Sequence, residues 1–139
     1  MKVKIKRLHK DSVIPTYAKD GDAGMDLTAT RMWFEGDNIC YGTGLAFEIP
    51  KGYVGLLFPR SSNAKKDLLL SNSVGVLDSG YRGEVMFKFR QTKNFSETYS
   101  IGDRIGQIII LPYPQIKFEA VDELGVTERG DNGFGSSGK

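Results

Sequence analysis

The sequence predicts an all-β protein, and three observations support this fold class. The apolar stretches are short and bounded by Gly, Pro, Asp or Asn, which is typical of strands separated by tight turns. Helix signals are scarce, and only Ser62–Leu68 is compatible with a short helix, with Ser61 or Ser62 as its N-cap. Glycine contributes 17 of the 139 residues. Its average share is about 7%, so this excess indicates tight turns or close approaches of the backbone to a ligand.

Eight strands follow from the turn residues and from the periodicity of the apolar residues. In the first, lysines alternate with apolar residues, as on the solvated face of an edge strand. In the sixth, Val85, Phe87 and Phe89 alternate with more polar residues, so one face is expected to be buried. Ile108–Leu111 is apolar on both faces and is expected to be buried on both sides. The expected strands are Val3–Leu8, Gly24–Ala29, Thr43–Ile49, Tyr53–Pro59, Ser73–Leu77, Glu84–Gln91, Arg104–Leu111 and Lys117–Val121.

The chain length fits a single domain, residues 1–139. The core is expected over residues 1–124 and a mobile, glycine-rich C-terminal arm over residues 125–139. Positive charges bracket the end of this arm, and Phe134 stands alone among glycines. A solvated linker gains nothing from an isolated aromatic ring. A loop that closes over a flat ring and a phosphate uses all of these features.

Composition excludes several classes of protein. The chain carries 19 basic and 17 acidic residues, a net charge of +2, which argues against a nucleic-acid polymer as the main partner. Cys40 is the only cysteine, so no intrachain disulfide forms and a reducing, cytoplasmic location is expected. The thiol itself is expected to act as a small buried hydrophobe. Neither a signal peptide nor a membrane span is expected, because the sequence lacks a long apolar run.

The inventory of side chains also limits the chemistry. His9 is the only histidine and lies near a basic N-terminal strand, so a Ser-His-Asp or Cys-His arrangement and a zinc site are not expected. Hydrolysis must then depend on carboxylates, hydroxyls, arginines, backbone N–H groups and a hard cation such as Mg²⁺. These groups suit phosphate chemistry.

Five stretches carry such groups. Asp26 lies just inside a strand, and Arg60 with two hydroxyls stands where a strand ends, which favours anion binding. Asp78 enters a tight turn in which Gly80 is able to adopt a positive φ. Gln107 enters the most apolar strand, where a buried amide needs a polar site. The stretches are Asp22–Ala29, Pro59–Ser62, Ser73–Glu84, Gly102–Gln107 and the glycine-rich tail from Arg129.

Each stretch alone has an ordinary structural explanation, but together and in this order they resemble the five motifs of the homotrimeric dUTPase family. The resemblance spans nearly the whole chain from Asp22 onwards. It implies a β-barrel or jelly-roll-like subunit and a homotrimer with three shared active sites, each closed by a C-terminal arm. It also implies Mg²⁺-assisted hydrolysis of dUTP to dUMP and pyrophosphate, which limits uracil in DNA and supplies dUMP for dTTP synthesis.

The resemblance implies a role for each motif residue. Asp78 would be the general base that activates the attacking water, and Gln107 would help to position that water near the α-phosphorus. Asp26 would touch Mg²⁺ through water. The phosphates would be bound by Arg60, Ser61, Ser62, Arg129, Gly135, Ser136 and Ser137. The uracil and the deoxyribose would be contacted by Asn72, Val76, Leu77, Tyr81, Met86 and Phe134.

Two alternatives share the fold. A dCTP deaminase has a similar Asp-x-Gly-aromatic turn, but Lys88 occupies the position of its catalytic glutamate and no substitute acid lies beside it in the sequence. A regulatory binding protein of the dUTPase fold stays open as an additional role. The departures from the family pattern are mild, such as Ser137 in place of the more usual threonine.

Overall fold

The computed structural model describes residues 1–136, and within them the all-β prediction is confirmed. The regular structure in this range consists of ten strands and one 3₁₀ helix, Ser61–Lys65. None of the described helical residues forms a segment long and apolar enough to cross a membrane. The strands are β1 (Lys4–Arg7), β2 (Met25–Thr28), β3 (Arg31–Glu35), β4 (Asn38–Gly42), β5 (Leu45–Glu48), β6 (Tyr53–Phe58), β7 (Leu68–Leu70), β8 (Gly75–Leu77), β9 (Met86–Gln91) and β10 (Arg104–Pro112).

The strands form two four-stranded sheets and a two-stranded ribbon, with antiparallel pairing throughout the described residues. The first sheet has the order β2-β10-β6-β8, the second has the order β3-β4-β9-β7, and β1 pairs with β5. β10 is the longest strand and pairs with β2 on one side and β6 on the other. The first sheet therefore places the first, second, third and fourth motifs on neighbouring strands or directly after them.

One hydrophobic cluster joins residues of both four-stranded sheets. Val85, Phe87 and Phe89 are buried as the alternation in β9 predicts, and the rings of Phe87 and Phe89 stack with 6.2 Å between their centroids. Gly106 in β10 lies against the Phe87 ring, where a Cβ atom would overlap with it. The two sheets therefore meet closely at this glycine. Full burial of one phenylalanine side chain contributes about 1.5–3 kcal/mol to stability.

The burial of β10 differs from the expectation. Ile108 is buried, but Ile109, Ile110 and Leu111 are only half-buried, so burial on both faces of this strand is wrong for a single chain. Ile110 is only partly buried where it packs against the core cluster, and Ile109 lines the β2–β10 cavity described below. Cys40, in contrast, is fully buried as expected, and burial raises the pKa of its thiol.

A chain of buried hydrogen bonds fixes the 3₁₀ helix to the core. The buried Asn63 donates from Nδ2 to the carbonyl oxygen of Leu68 (2.9 Å) and accepts from the Tyr99 hydroxyl (2.9 Å). The Tyr41 hydroxyl in turn donates to the Tyr99 carbonyl oxygen (2.8 Å). The expected helix from Ser62 to Leu68 is thus replaced by a shorter 3₁₀ turn, because Asn63 draws the chain into β7.

The expected N-cap at Ser61 or Ser62 is wrong. The structure places the cap at Arg60, which has extended backbone angles and makes no capping hydrogen bond with its side chain. Ser61 and Ser62 follow it as the first two residues of the 3₁₀ turn, and both are exposed.

The sequence analysis missed the hairpin formed by β3 and β4. The strands are joined by Gly36 and Asp37, with Glu35 paired to Asn38, and Gly36 has a φ of 55°. A two-residue Gly-Asp turn between short apolar runs is a recognised hairpin signal. This feature could therefore have been found from the sequence.

The C-terminal segment, residues 113–136, contains no strand, so the expected strand Lys117–Val121 is wrong. Its apolar side chains face solvent, and those of Phe118 and Leu124 are 91% and 87% exposed. A strand needs a neighbouring strand for its backbone hydrogen bonds, and these residues have no such neighbour within residues 1–136. The strands end at Pro112, earlier than the expected core boundary at residue 124.

Candidate active site

A cavity of about 370 Å³ lies between the turn that follows β8 and the start of β9. It is called the hairpin cavity below, although β8 and β9 belong to different sheets and do not pair with each other. Asp78 directly follows β8, and its carbonyl oxygen accepts a hydrogen bond from the Tyr81 N–H (3.0 Å) that closes the turn. Gly80 was expected to be able to adopt a positive φ in this turn, but its φ is not positive. The cavity is lined by Leu57, Ser71, Asn72, Gly75, Val76, Leu77, Asp78, Tyr81, Glu84, Met86 and Lys88.

Tyr81 is held in place by its own hairpin. Its hydroxyl donates to the Glu84 carbonyl oxygen (3.0 Å), and the ring crosses Gly83 so closely that a Cβ there would overlap with it. The side chain is still 43% exposed towards the cavity. A rigid aromatic face of this kind can pack against a flat or alicyclic group of a ligand.

The first, second and fourth motifs meet at a different place. Asp26 in β2 accepts hydrogen bonds from Arg60 Nε (2.9 Å) and from Arg104 Nη1 (3.4 Å), and its side chain remains 28% exposed. Arg60 Nη1 also donates to the Ser62 hydroxyl (3.4 Å). Two guanidinium groups around one carboxylate leave a net positive charge, which suits a phosphate.

Gln107 lies beside this cluster and its amide is fixed from two sides. Nε2 donates to the Pro59 carbonyl oxygen (3.0 Å), and Oε1 lies against Gly24, where any Cβ would overlap with it. A larger residue at position 24 would therefore displace the Gln107 amide from this position. Gln107 opens into a cavity of about 520 Å³, called the β2–β10 cavity, which is also lined by Val13, Ile14, Pro15, Thr16, Ala18, Asp22, Ala23, Gly24, Asp26, Arg104 and Ile109.

The two cavities are separate within one chain. Gln107 is paired with Phe58 in β6, whereas Leu77, which precedes Asp78, is paired with Gly55 on the other side of β6. Two strand spacings and four residues of extended chain therefore separate the Cα atoms of Asp78 and Gln107 by about 16 Å. A single chain does not bring these two side chains to one water molecule.

The arm residues form a local turn away from both cavities. Arg129 Nε donates to the Asn132 carbonyl oxygen (3.0 Å) within the arm, and Phe134 is fully exposed with a φ of 51°. Gly135 and Ser136 belong to the same turn and are also exposed. Ser137 lies outside the described residues. The described arm therefore covers neither cavity of its own chain.

A network of charged side chains connects opposite walls of the hairpin cavity, and the sequence analysis missed it. Glu84 binds Arg31 and accepts a hydrogen bond from the Gly44 N–H (2.8 Å). Burial raises the pKa of Glu84, but these hydrogen bonds outweigh it and hold the pKa below its usual value. Arg31 lies over the Trp33 ring, with 4.3 Å from its guanidinium carbon to the ring centroid.

The same network ends at Lys88 on the far wall. Glu35 accepts hydrogen bonds from Trp33 Nε1 (2.8 Å) and from the Lys88 ammonium group. The hydrogen bond from Lys88 holds the pKa of Glu35 below its usual value, and that of Lys88 is raised by the same bond. Lys88 thus has an acid beside it after all, Glu35, which the sequence could not show because it comes from β3, more than fifty residues earlier.

The donor set can be tested against Mg²⁺. No group of three or more His, Cys, Asp or Glu side chains within residues 1–136 is placed to hold a metal directly. Mg²⁺ keeps several waters in proteins and is held through one or two carboxylates together with substrate phosphates. Asp26, partly exposed at the mouth of the β2–β10 cavity and beside two phosphate-binding guanidinium groups, fits such an indirectly held ion.

Comparisons with known proteins identify the family of this chain. The sequence model of the dUTPase family matches residues 10–138. Deoxyuridine 5'-triphosphate nucleotidohydrolases from Escherichia phage T5 and Corynebacterium glutamicum are 39% and 41% identical to this chain over 146 and 143 residues. The alignments cover 98% of both chains for the phage protein, and 99% of this chain and 95% of the other for the bacterial one.

A solved structure extends the likeness to the fold. The Staphylococcus bacteriophage 80alpha dUTPase, determined with dUPNHPP, superimposes with a TM-score of 0.85 at 28% sequence identity, covering 99% of each chain. The jelly-roll fold expected from the sequence is confirmed by this superposition. The chain belongs to the dUTPase family and is a nucleotide hydrolase of that family.

Proposed function

We propose that this chain hydrolyses dUTP to dUMP and pyrophosphate by attack of an Asp78-activated water on the α-phosphorus, in homotrimers whose sites combine residues of different subunits. The division of the motif residues between two cavities carries this proposal. The hairpin cavity is lined by Asp78 and by the residues proposed to bind the nucleoside, apart from Phe134. The β2–β10 cavity is lined by Asp26, Arg104 and Gln107, and Arg60 joins them through its bond to Asp26. A complete site requires the first cavity of one copy to face the second cavity of another.

Asp78 is suited to the role of general base. Its side chain is exposed at the end of β8, and its carboxylate oxygens accept no hydrogen bond within residues 1–136. The carboxylate can therefore accept a proton from a water molecule, as a base must. A positioned base of this kind accelerates a reaction by roughly 10²–10⁴-fold.

Gln107 is suited to holding the attacking water. Because Nε2 uses one of its two N–H groups on Pro59, the other N–H and the carbonyl oxygen Oε1 stay available to a ligand or a water. The close contact with Gly24 fixes the amide plane, so the orientation of a bound water would be fixed as well. This role is one of positioning rather than proton transfer.

Arg60, Arg104 and the hydroxyls of Ser61 and Ser62 would bind the phosphates. A phosphate would share Arg60 with Asp26 or replace that carboxylate, which then remains free to hold a hydrated cation. When bound, Mg²⁺ supplies positive charge that favours departure of pyrophosphate. The guanidinium groups contribute to the same neutralisation from the protein side.

The exposed C-terminal segment supports a site in which the arm of one subunit covers the nucleotide bound to another. Its large apolar side chains, Phe118 among them, are largely exposed within the part of the chain that the structure describes. Phe134 adopts a left-handed backbone conformation that costs about 1 kcal/mol for a residue with a Cβ atom. A ring that covers uracil in a neighbouring subunit would offset this cost, with Arg129 on the γ-phosphate and Gly135 and Ser136 along the phosphate chain.

This activity would limit uracil in DNA and supply dUMP for dTTP synthesis. The buried, unpaired Cys40 favours a reducing, cytoplasmic location for it. No role for a nucleic-acid polymer or a membrane is proposed.

Mixed trimers test the shared site. We expect Asp78→Asn and Gln107→Ala each to be nearly inactive alone, and an equal mixture, unfolded and refolded together, to regain activity. With random association, about a quarter of the sites combine an intact Asp78 from one subunit with an intact Gln107 from its neighbour. Pyrophosphate release from dUTP with Mg²⁺ is the measurement, with mixed trimers verified by mass spectrometry.

The matched control is a mixture of Gln107→Ala with Arg60→Ala. Gln107 lines the β2–β10 cavity and donates to the Pro59 carbonyl oxygen, and the neighbouring Arg60 binds Asp26 of the same cavity. Both residues therefore belong to the same group on one chain, so every site lacks one of them and no activity should return. Failure of the first mixture to regain activity, in verified mixed trimers, would place the whole site on one chain. Near-normal kcat for Asp78→Asn alone would remove that residue from the mechanism.

A further inference from the structure

The hairpin cavity has two chemically different ends. Asp78 and Tyr81 lie at one end, beside Glu84. At the other end, the Ser71 N–H donates to the carbonyl oxygen of Lys88 (2.8 Å), which places the turn containing Asn72 next to β9 at this residue. Glu84 and Lys88 are four residues apart along extended chain, so about 13 Å separates the two ends.

Lys88 is the one cation among the described residues that line this cavity. Its side chain points away from the core together with Met86, because Phe87 and Phe89 occupy the buried face of β9. One of its three N–H groups is used by Glu35, and Glu35 is itself held by Trp33. Two N–H donors of the ammonium group are therefore available to a ligand within the described part of the chain, and the group has no acceptor.

We propose that Lys88 is a specificity-determining residue that selects a carbonyl oxygen over an amino group at position 4 of the pyrimidine, and so favours uracil over cytosine. This inference rests on the proposed function, which places the deoxyribose at Tyr81 and the α-phosphorus near Asp78. A base attached to that sugar extends away from the phosphates, towards Asn72 and Lys88.

The discrimination follows from hydrogen-bonding capacity. The 4-carbonyl of uracil is an acceptor and can take an N–H from Lys88, whereas the 4-amino group of cytosine is a donor and meets only donors there. Two donors that face each other form no hydrogen bond, and such a mismatch weakens binding of cytosine relative to uracil. Glu35 stabilises the charged state and the direction of Lys88, and acts as a positioning residue.

Binding of the two monophosphates tests this role without hydrolysis. We expect Lys88→Met, which keeps the length of the side chain and removes the charge, to lower the ratio of Kd for dCMP over Kd for dUMP by about 10-fold. Titration calorimetry on the intact trimer measures both constants. The matched control is Arg90→Met, which removes the next outward-facing cation of β9, an exposed residue outside the cavity lining, and should leave the ratio unchanged.

Lys88→Gln supplies a second, independent variant. Its amide can present either a carbonyl oxygen or an N–H, so dCMP should gain affinity while dUMP loses little. Exposed ion pairs contribute little to stability, so both variants are expected to fold, and thermal unfolding verifies this. If only one of the two variants folds, its ratio of Kd for dCMP over Kd for dUMP is sufficient to test the role of Lys88.

An unchanged ratio in a folded trimer, or an equal loss of affinity for both nucleotides, would overturn the selective role of Lys88. The proposed function fails differently. In that case the wild-type protein itself would neither bind dUMP nor release pyrophosphate from dUTP.

Discussion

The body of the chain, residues 1–112, and the C-terminal segment, residues 113–136, differ in how they bury their apolar side chains. In the body, apolar side chains from two sheets form one cluster, and the buried polar side chains Ser12, Thr43 and Asn63 all have hydrogen-bond partners. In the segment, the large apolar side chains are exposed and no strand forms within the described residues. The body has a packed core of its own, whereas the large apolar side chains of the segment are largely exposed within the described residues.

This difference suggests a division of labour. The body carries the residues proposed to recognise the nucleoside and to activate the water, and their side chains are fixed by local contacts such as those of Tyr81 with Gly83 and Glu84. The segment carries Arg129 and Phe134, which are fixed by little beyond their own turn. The body would thus determine which nucleotide binds, and the segment how fast it is converted once water is excluded.

The largest expected effect concerns the end of the C-terminal segment, from Arg129 onwards. A chain that stops after Glu128 should lose roughly 10²-fold or more in kcat/KM, because the site stays open to water and lacks Arg129. Its melting temperature and its trimeric state should be unchanged, because the removed residues that the structure describes bury nothing in the body. Activity assays, thermal unfolding and light scattering measure the three quantities.

A pair of matched phenylalanines sharpens this test. Phe134 and Phe95 are both fully exposed and both have a positive φ, 51° and 60° respectively, but only Phe134 lies in the arm. Phe134→Ala should lower kcat/KM for dUTP, whereas Phe95→Ala should not. A truncated chain that is unfolded would show that the segment is part of the core, and one with full activity would make it a frayed end.

A smaller effect concerns the selection of deoxyribose over ribose, a role that we assign to the body rather than to the C-terminal segment. Tyr81→Ala should reduce the ratio of kcat/KM for dUTP over UTP by about 10-fold, equivalent to about 1.4 kcal/mol, because the ring fills the space that a 2′-hydroxyl needs. Tyr81→Phe keeps the ring and should preserve the ratio. Tyr113→Ala removes a similarly exposed tyrosine from the C-terminal segment and serves as the control.

The outcome that contradicts this role is specific. If Tyr81 is only a strand aromatic that stabilises its hairpin, Tyr81→Ala lowers the rates with both nucleotides together. An unchanged ratio in a folded trimer would therefore remove Tyr81 from sugar discrimination. A change in the ratio after truncation at Glu128 would instead assign part of the selection to the arm.

The sequence predicts the local features of this molecule well and the non-local ones poorly. The alternation in β9 correctly predicts which of its residues are buried, because the two faces of a strand differ at every second position. The strand expected at Lys117–Val121 has a suitable pattern, but the pattern cannot supply the neighbouring strand that it needs. The hairpin of β3 and β4 was missed despite its Gly36-Asp37 turn.

The site shows the same limit. The order of the motifs identifies the candidate residues, since each motif is a short local stretch. The division between two cavities depends on the register of β8, β6 and β10, which the sequence does not reveal. The contact between Glu35 and Lys88 likewise requires the pairing of β4 with both β3 and β9.

The smallest expected effect concerns the stability of the body at acid pH. Glu84 is only 15% exposed and is held by Arg31 and the Gly44 N–H. Its pKa in the folded chain lies below the usual value. Its contribution is therefore complete above the pKa of the unfolded chain and is lost as pH falls through the lower, folded pKa. Glu84→Gln should lower stability by about 1 kcal/mol at pH 7, with a smaller difference from wild type near pH 3.

The control is Glu48→Gln, because Glu48 pairs with Lys4 (3.1 Å) on the surface, where both side chains are well exposed. Such pairs contribute about 0–1 kcal/mol at most, so this variant should follow the wild-type curve at every pH. Thermal unfolding between pH 3 and pH 7 measures both differences. The chain that stops after Glu128 should give the same result for Glu84→Gln as the full chain, since this carboxylate has all its partners in the body. A Glu84 effect that is independent of pH would show that lost packing, rather than the ionised carboxylate, accounts for the change.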